Sequence, residues 1–127
     1  MLVSNYMTAA PVTIALDADY GSAFDVMQDR NMHHLPVVDA TGHIVGIVTR
    51  RDLQLAASHF QEAPVEVSDV MHTPVSTVKP ETTISEAAAM MVDQHIGGLP
   101  VIDGNNEIVG MVTETDLFRA LTDCLQG

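Results

Sequence analysis

Leu35-Pro36-Val37-Val38-Asp39, followed after a short turn by Gly46-Ile47-Val48-Thr49-Arg50-Arg51-Asp52-Leu53, is the stretch on which the fold turns. His34 to Val38 is an apolar run of strand length, and Asp39-Ala40-Thr41-Gly42 supplies turn chemistry. Ile44 to Val48 is a second apolar run, so the two are expected to pair as an antiparallel hairpin. A helix is expected to begin at Thr49, because Thr49-x-x-Asp52 places a hydroxyl at the cap and an acid three residues later.

The same pattern returns as Leu99–Asp103 and Gly110–Leu117, where Ile102 and Met111 are the apolar variants. Met7 pairs with Met71, 64 residues on, and that offset holds without a gap across the chain. It matches Thr13 with Thr77, Met27 with Met91, Asp29 with Asp93, Ile44-Val45-Gly46 with Ile108-Val109-Gly110, and Asp52-Leu53 with Asp116-Leu117. Roughly three in ten aligned positions are identical, which marks an internal repeat.

Each copy reads as strand, helix, strand, strand, helix. Val12-Thr13-Ile14 is a short β-rich run, and Tyr20, Phe24, Met27 and Met32 fall near helical spacing with acids between them. In the second copy Val78, a helix over Ile84–Met91, Leu99–Ile102, the Gly104-Asn105-Asn106 turn and Ile108–Thr113 repeat the order. Two domains are expected, at 1–60 and 65–127, with a linker of about Ser58 to Pro64. The fold class is therefore α/β (α+β), each copy a three-stranded sheet with helices on one face. A sheet covered on one face leaves the other bare, so the copies are expected to pack about a pseudo-twofold axis that creates two equivalent clefts.

Composition narrows the function. Seventeen acids against five Lys plus Arg give a formal charge of −12, a field that repels nucleic acid and anionic membranes as general partners. Any phosphate must then be held by a local cluster of basic groups and backbone donors. Cys124 is the one cysteine, so no internal disulfide forms. No apolar run reaches the length of a membrane span and no leader is evident, which makes the cytoplasm the expected location.

The duplicated Leu-Pro-Val-Val-Asp and Gly-Ile-Val-Thr-x-x-Asp-Leu set resembles the CBS-domain family, in both copies and over nearly the whole chain. Members usually pair two units into a Bateman module that binds AMP, ADP, ATP or S-adenosylmethionine in its clefts. They often dimerise, and they commonly regulate an enzyme, channel or transporter. The resemblance implies an adenosine nucleotide as ligand, a homodimer, and an effector protein as a further partner. It also implies ribose contacts at Thr49 and Asp52, and at Thr113 and Asp116, where a carboxylate can accept from both vicinal hydroxyls. The family's adenine pocket falls on Ala10 and Val12 with Met32, and on Pro74 and Ser76 with Ile96. Phosphate contacts fall on His33, His34, Arg50 and Arg51.

Each assignment has a plainer counterpart. Thr49-x-x-Asp52 is also a capping box, but its recurrence directly after Gly-h-Val in both copies favours a ligand role, and the two roles are compatible. Arg50-Arg51 at a helix start opposes the helix dipole unless an anion is near, which favours phosphate. The second copy has Glu114-Thr115 there, so the sites are expected to differ, with the one containing Asp52 better suited to phosphate. His33-His34 lacks a third ligand at metal spacing. Asp17-x-Asp19-x-Gly21 fails the calcium-loop pattern, with glycine out of register and no Glu at the twelfth position. Without a Walker loop, a G-x-G-x-x-G or a nucleophile elbow, no catalytic residue, metal or cofactor is expected. The alternative readings are a structural or oligomerisation module that binds no ligand, or a binder of S-adenosylmethionine.

Overall fold

A computed structural model describes residues 1–9, 11–59 and 65–126, with side chains throughout except at 56–59. Residues 60–64, most of the expected linker, lie outside the described residues, as does Ala10. The chain divides into two compact units, Val12–Val75 and Met1–Pro11 together with Ser76–Gly127.

The first unit holds β2 (Ile14–Ala15), α1 (Tyr20–Arg30), β3 (His34–Val38), β4 (Ile44–Thr49), α2 (Arg50–His59) and α3 (Val67–Val70). Its sheet runs in the order β2-β3-β4, β2 parallel to β3 and β3 antiparallel to β4. The hairpin is the expected one. Asp39 Oδ1 closes its turn by accepting from the Thr41 N–H at 2.9 Å, the Thr41 hydroxyl at 2.6 Å and the His43 N–H at 3.1 Å. Those bonds, the hydroxyl's first, hold the Asp39 carboxyl below its ordinary pKa. The opening strand lies slightly later than the Val12-Thr13-Ile14 run suggests, since Ile14 and Ala15 are the residues that face Val37 and Val38.

The second unit holds β1 (Thr8–Ala9), α4 (Ile84–Gln94), β5 (Gly98–Ile102), β6 (Ile108–Thr113) and α5 (Glu114–Gln126), after a 3-10 turn at Val3–Asn5. Its sheet order is β1-β6-β5, every pair antiparallel. Val78, expected as the second copy's first strand, makes a single parallel bridge to Val101. The third strand instead comes from Thr8–Ala9, in the segment that opens the first repeat.

That substitution is half of a reciprocal exchange. The Val67 N–H donates to Ala18 at 2.8 Å and the Tyr20 N–H to Val65 at 2.9 Å. Sixty-four residues earlier, the Val3 N–H donates to Thr82 at 2.8 Å and the Ile84 N–H to Met1 at 3.0 Å. The segment that opens each repeat is thus bonded into the unit built by the other repeat. The cores record the same arrangement. Val67 packs with Ile14, Ala23, Met27, Leu35, Val37, Val48 and Leu53, while Val3 packs with Val78, Ala87, Met91, Leu99, Val101 and Val112.

Both long helices that follow an opening strand are capped alike. Asp19 accepts from the Ser22 N–H at the start of α1 and Thr83 from the Glu86 N–H at the start of α4. Asn31 and His95 end them in the left-handed region, at φ 52° and 54°. Asp19, the acid of the calcium-like pattern, is thereby accounted for as a cap. α4 runs one turn beyond the expected Met91, because Val92, Asp93 and Gln94 form its exposed last turn before His95.

Candidate functional site

Strand alternation along β4 buries Gly46 and Val48 and leaves Thr49 half-buried at the strand's end, where α2 begins. There Asp52 Oδ2 accepts from the Thr49 N–H at 3.0 Å and the Thr49 hydroxyl at 2.6 Å, and the Asp52 N–H donates to Thr49 Oγ1 at 3.2 Å. This is a reciprocal cap, and it holds the carboxylate in one orientation at the head of the helix. His72 Nε2 lies 2.8 Å from the same Oδ2. Among the described residues, the polar contacts of the Asp52 carboxylate all fall on that oxygen, and its side chain is 18% exposed.

The second unit repeats the cap at the start of α5. Asp116 Oδ2 accepts from the Thr113 N–H at 2.9 Å and the Thr113 hydroxyl at 3.3 Å. Here the other oxygen is occupied too, because the Arg119 guanidinium pairs with Asp116 Oδ1. Arg119 also donates to the Tyr6 carbonyl at 3.1 Å, and the Tyr6 hydroxyl donates to Asp123 at 2.7 Å. That carboxylate acceptor holds the Tyr6 phenol above its ordinary pKa. The Asp116 side chain is 6% exposed.

The basic positions separate. Arg50 donates to the Met27 carbonyl at 3.0 Å and so braces the last turn of α1. Arg51 and His33 are exposed. His34 is half-buried at the start of β3, opposite Thr49. Of the adenine positions, Val12 and Met32 pack on the first unit's core and Ile96 on the second's. Ser76 donates to the Gln94 side chain, and Pro74 is exposed. No group of three or more His, Cys, Asp or Glu side chains suited to a metal occurs among the described residues.

Sequence reasoning missed three residues around the carboxylates. Arg119 stands three positions after Asp116, a spacing that brings helix side chains together and could have been read. His72 and Tyr6 are distant in sequence from the residues they touch, and only the exchanged segments bring them in. A groove of about 510 Å³ between α4 and α5 was also unforeseen; Ala88, Val92, His95, Glu114, Leu117 and Phe118 are among its lining residues.

Two duplicated sheet-and-helix units, each with a capped Thr-x-x-Asp at the head of its last long helix, define a CBS pair. The CBS domain family matches residues 3–59 and 67–123, and the chain belongs to it. It is 36% identical over 137 residues to a CBS domain-containing protein of Dictyostelium discoideum, covering 99% of this chain and 94% of that protein. It is 34% identical over 111 residues to inosine-5'-monophosphate dehydrogenase of Nitrosopumilus maritimus, but spans only 22% of that enzyme. The CBS domain pair of protein MJ0100, solved with 5'-methylthioadenosine and S-adenosyl-L-methionine, superposes with a TM-score of 0.87 at 29% identity, covering 95% of this chain and 99% of that one. A putative acetoin utilization protein of Vibrio cholerae superposes with a TM-score of 0.85 at 32% identity, covering 99% of this chain and 93% of that one. Among the described residues no helix is long and apolar enough to cross a membrane.

Proposed function

We propose that the chain is a regulatory module that senses an adenosine-containing ligand, AMP, ADP, ATP or S-adenosylmethionine, and transmits its binding to an effector protein without catalysing a reaction. The observation that carries this reading is the Asp52 carboxylate, held rigidly by Thr49 at a helix start with its contacts gathered on one oxygen. Its second oxygen and the Thr49 hydroxyl suit the vicinal diol of a ribose. The 29%-identical neighbour solved with two adenosine compounds supports the ligand class.

Within this reading Thr49 and Asp52 hold the ribose, with Thr113 and Asp116 as their counterparts, and Ala10, Val12, Met32, Pro74, Ser76 and Ile96 receive the base. Arg51 and His33, both exposed, are best placed to meet phosphates, with His34 beside them. Arg50 serves first as a brace for α1, and its share in phosphate binding is accordingly smaller. The module acts as a cytoplasmic homodimer. The ligand shifts it between two arrangements only as far as it binds one better than the other.

Calorimetric titration with AMP, ADP, ATP, S-adenosylmethionine and 5'-methylthioadenosine tests the reading. At least one should bind, and at a hundredfold excess over its Kd it should stabilise the fold by about 2.7 kcal/mol. Asp52→Ala should weaken that binding. A stable protein whose melting ignores the whole series at millimolar concentration would instead be an oligomerisation module.

A further inference from the structure

We infer that the chain binds one adenosine ligand rather than two, because Arg119 is a resident counter-ion that closes the second ribose carboxylate. The inference rests on the ribose reading of Thr49 and Asp52 given above and goes beyond it by setting the stoichiometry and naming the residue responsible.

The two carboxylates share sequence context and cap geometry, yet their surroundings differ. Asp52 is met by His72, an imidazole on an extended segment, and the contact falls on the Oδ2 already used by Thr49. Asp116 has Thr113 on Oδ2 and a guanidinium on Oδ1, so the oxygen that Asp52 offers to a diol is already engaged here. A ribose offers two neutral hydroxyls. To bind there it must displace a charge-assisted partner and leave Arg119 without its anion.

Arg119 is also tethered against swinging aside. It donates to the Tyr6 carbonyl at 3.1 Å, Tyr6 is tied to Asp123 at 2.7 Å, and the Thr8–Ala9 strand that follows is paired to β6. The repeat shows that this arrangement belongs to one copy only. Sixty-four residues before Arg119 stands Leu55, which can neither pair with a carboxylate nor donate to a carbonyl. Hydrogen bonds to charged groups are worth enough that losing one should weaken the second site about ten- to a hundredfold relative to the first.

Calorimetry on the full chain with 5'-methylthioadenosine, which carries no phosphate for Arg119 to attract, and with AMP decides the matter. One site per wild-type chain is expected, and a second of comparable affinity should appear in Arg119→Leu, which copies the first repeat. Arg119→Gln, which keeps a donor for the Tyr6 carbonyl but loses the charge, should open the same site if the leucine variant does not fold. Two equal sites in the wild type, or one site persisting in every folded Arg119 variant, would overturn the inference while leaving the ribose reading intact. No heat from wild type and variants alike would sink the ribose reading, and this inference with it.

Discussion

Replacing Gly46 by alanine perturbs a close backbone approach in the first unit. A Cβ there would stand 2.6 Å from the Met71 sulfur, 3.0 Å from Met71 Cγ and 3.0 Å from the His72 carbonyl oxygen. The thioether can move. The carbonyl is anchored, because it accepts from the Ile47 N–H at 3.2 Å while the His72 N–H donates to Ile47 at 2.8 Å. Relieving the contact therefore stretches a two-bond bridge or shifts the segment that carries His72. Overpacking of this kind costs roughly 1–3 kcal/mol, offset by about 0.4–1 kcal/mol from the stiffer unfolded chain. The net expectation is a loss of about 1–2 kcal/mol, a fall in melting temperature of roughly 3–10 °C. Gly104→Ala is the control, since nothing lies within 4 Å of a Cβ there, and it should stay within about 0.5 kcal/mol of the wild type. Gly110→Ala should behave like Gly46→Ala, for its Cβ would meet the Met7 sulfur at 2.5 Å and the Thr8 carbonyl at 3.0 Å. Thermal and urea melts of the three variants measure the effect. If Gly46→Ala melts with the wild type, the close crossing of the exchanged segment is not where these contacts place it.

Leu53→Ala should cost about 2–5 kcal/mol in a urea melt, because the side chain is fully buried in the first unit's core and its loss leaves a cavity. Asp39→Asn should lower the melting temperature at neutral pH. Because the Thr41 hydroxyl and neighbouring N–H groups depress the folded pKa below the ordinary 3.8, the stabilisation is fully present above that value. It is lost as pH falls through the folded pKa, so the gap between variant and wild type should close in acid. Arg50→Ala should destabilise the fold by about 0.5–1.5 kcal/mol through the Met27 carbonyl it abandons. Arg51→Ala should leave stability nearly unchanged and weaken ATP more than 5'-methylthioadenosine; ATP binding that ignores this change but is weakened by Arg50→Ala would make Arg50 the phosphate ligand.

The duplication, the two hairpins and the Thr-x-x-Asp caps were legible in the sequence, because each is written in neighbouring residues. Apolar runs mark strands, Asp39-Ala40-Thr41-Gly42 and Gly104-Asn105-Asn106 mark turns, and Thr-x-x-Asp marks a cap, all within a few positions. The same proximity made Thr49 with Asp52 and Thr113 with Asp116 visible as pairs. What the sequence could not say is which copy a leading segment serves. A repeat of 64 residues makes Val3 and Val67 equivalent, and either could complete its own unit or the other's at similar local cost. Only tertiary packing settled that choice in favour of exchange. With it came the partners of the two carboxylates, His72 for Asp52 and the Tyr6-tethered Arg119 for Asp116. Equivalence in a repeat is a property of the chain, whereas the difference between the two sites comes from contacts between residues far apart along it.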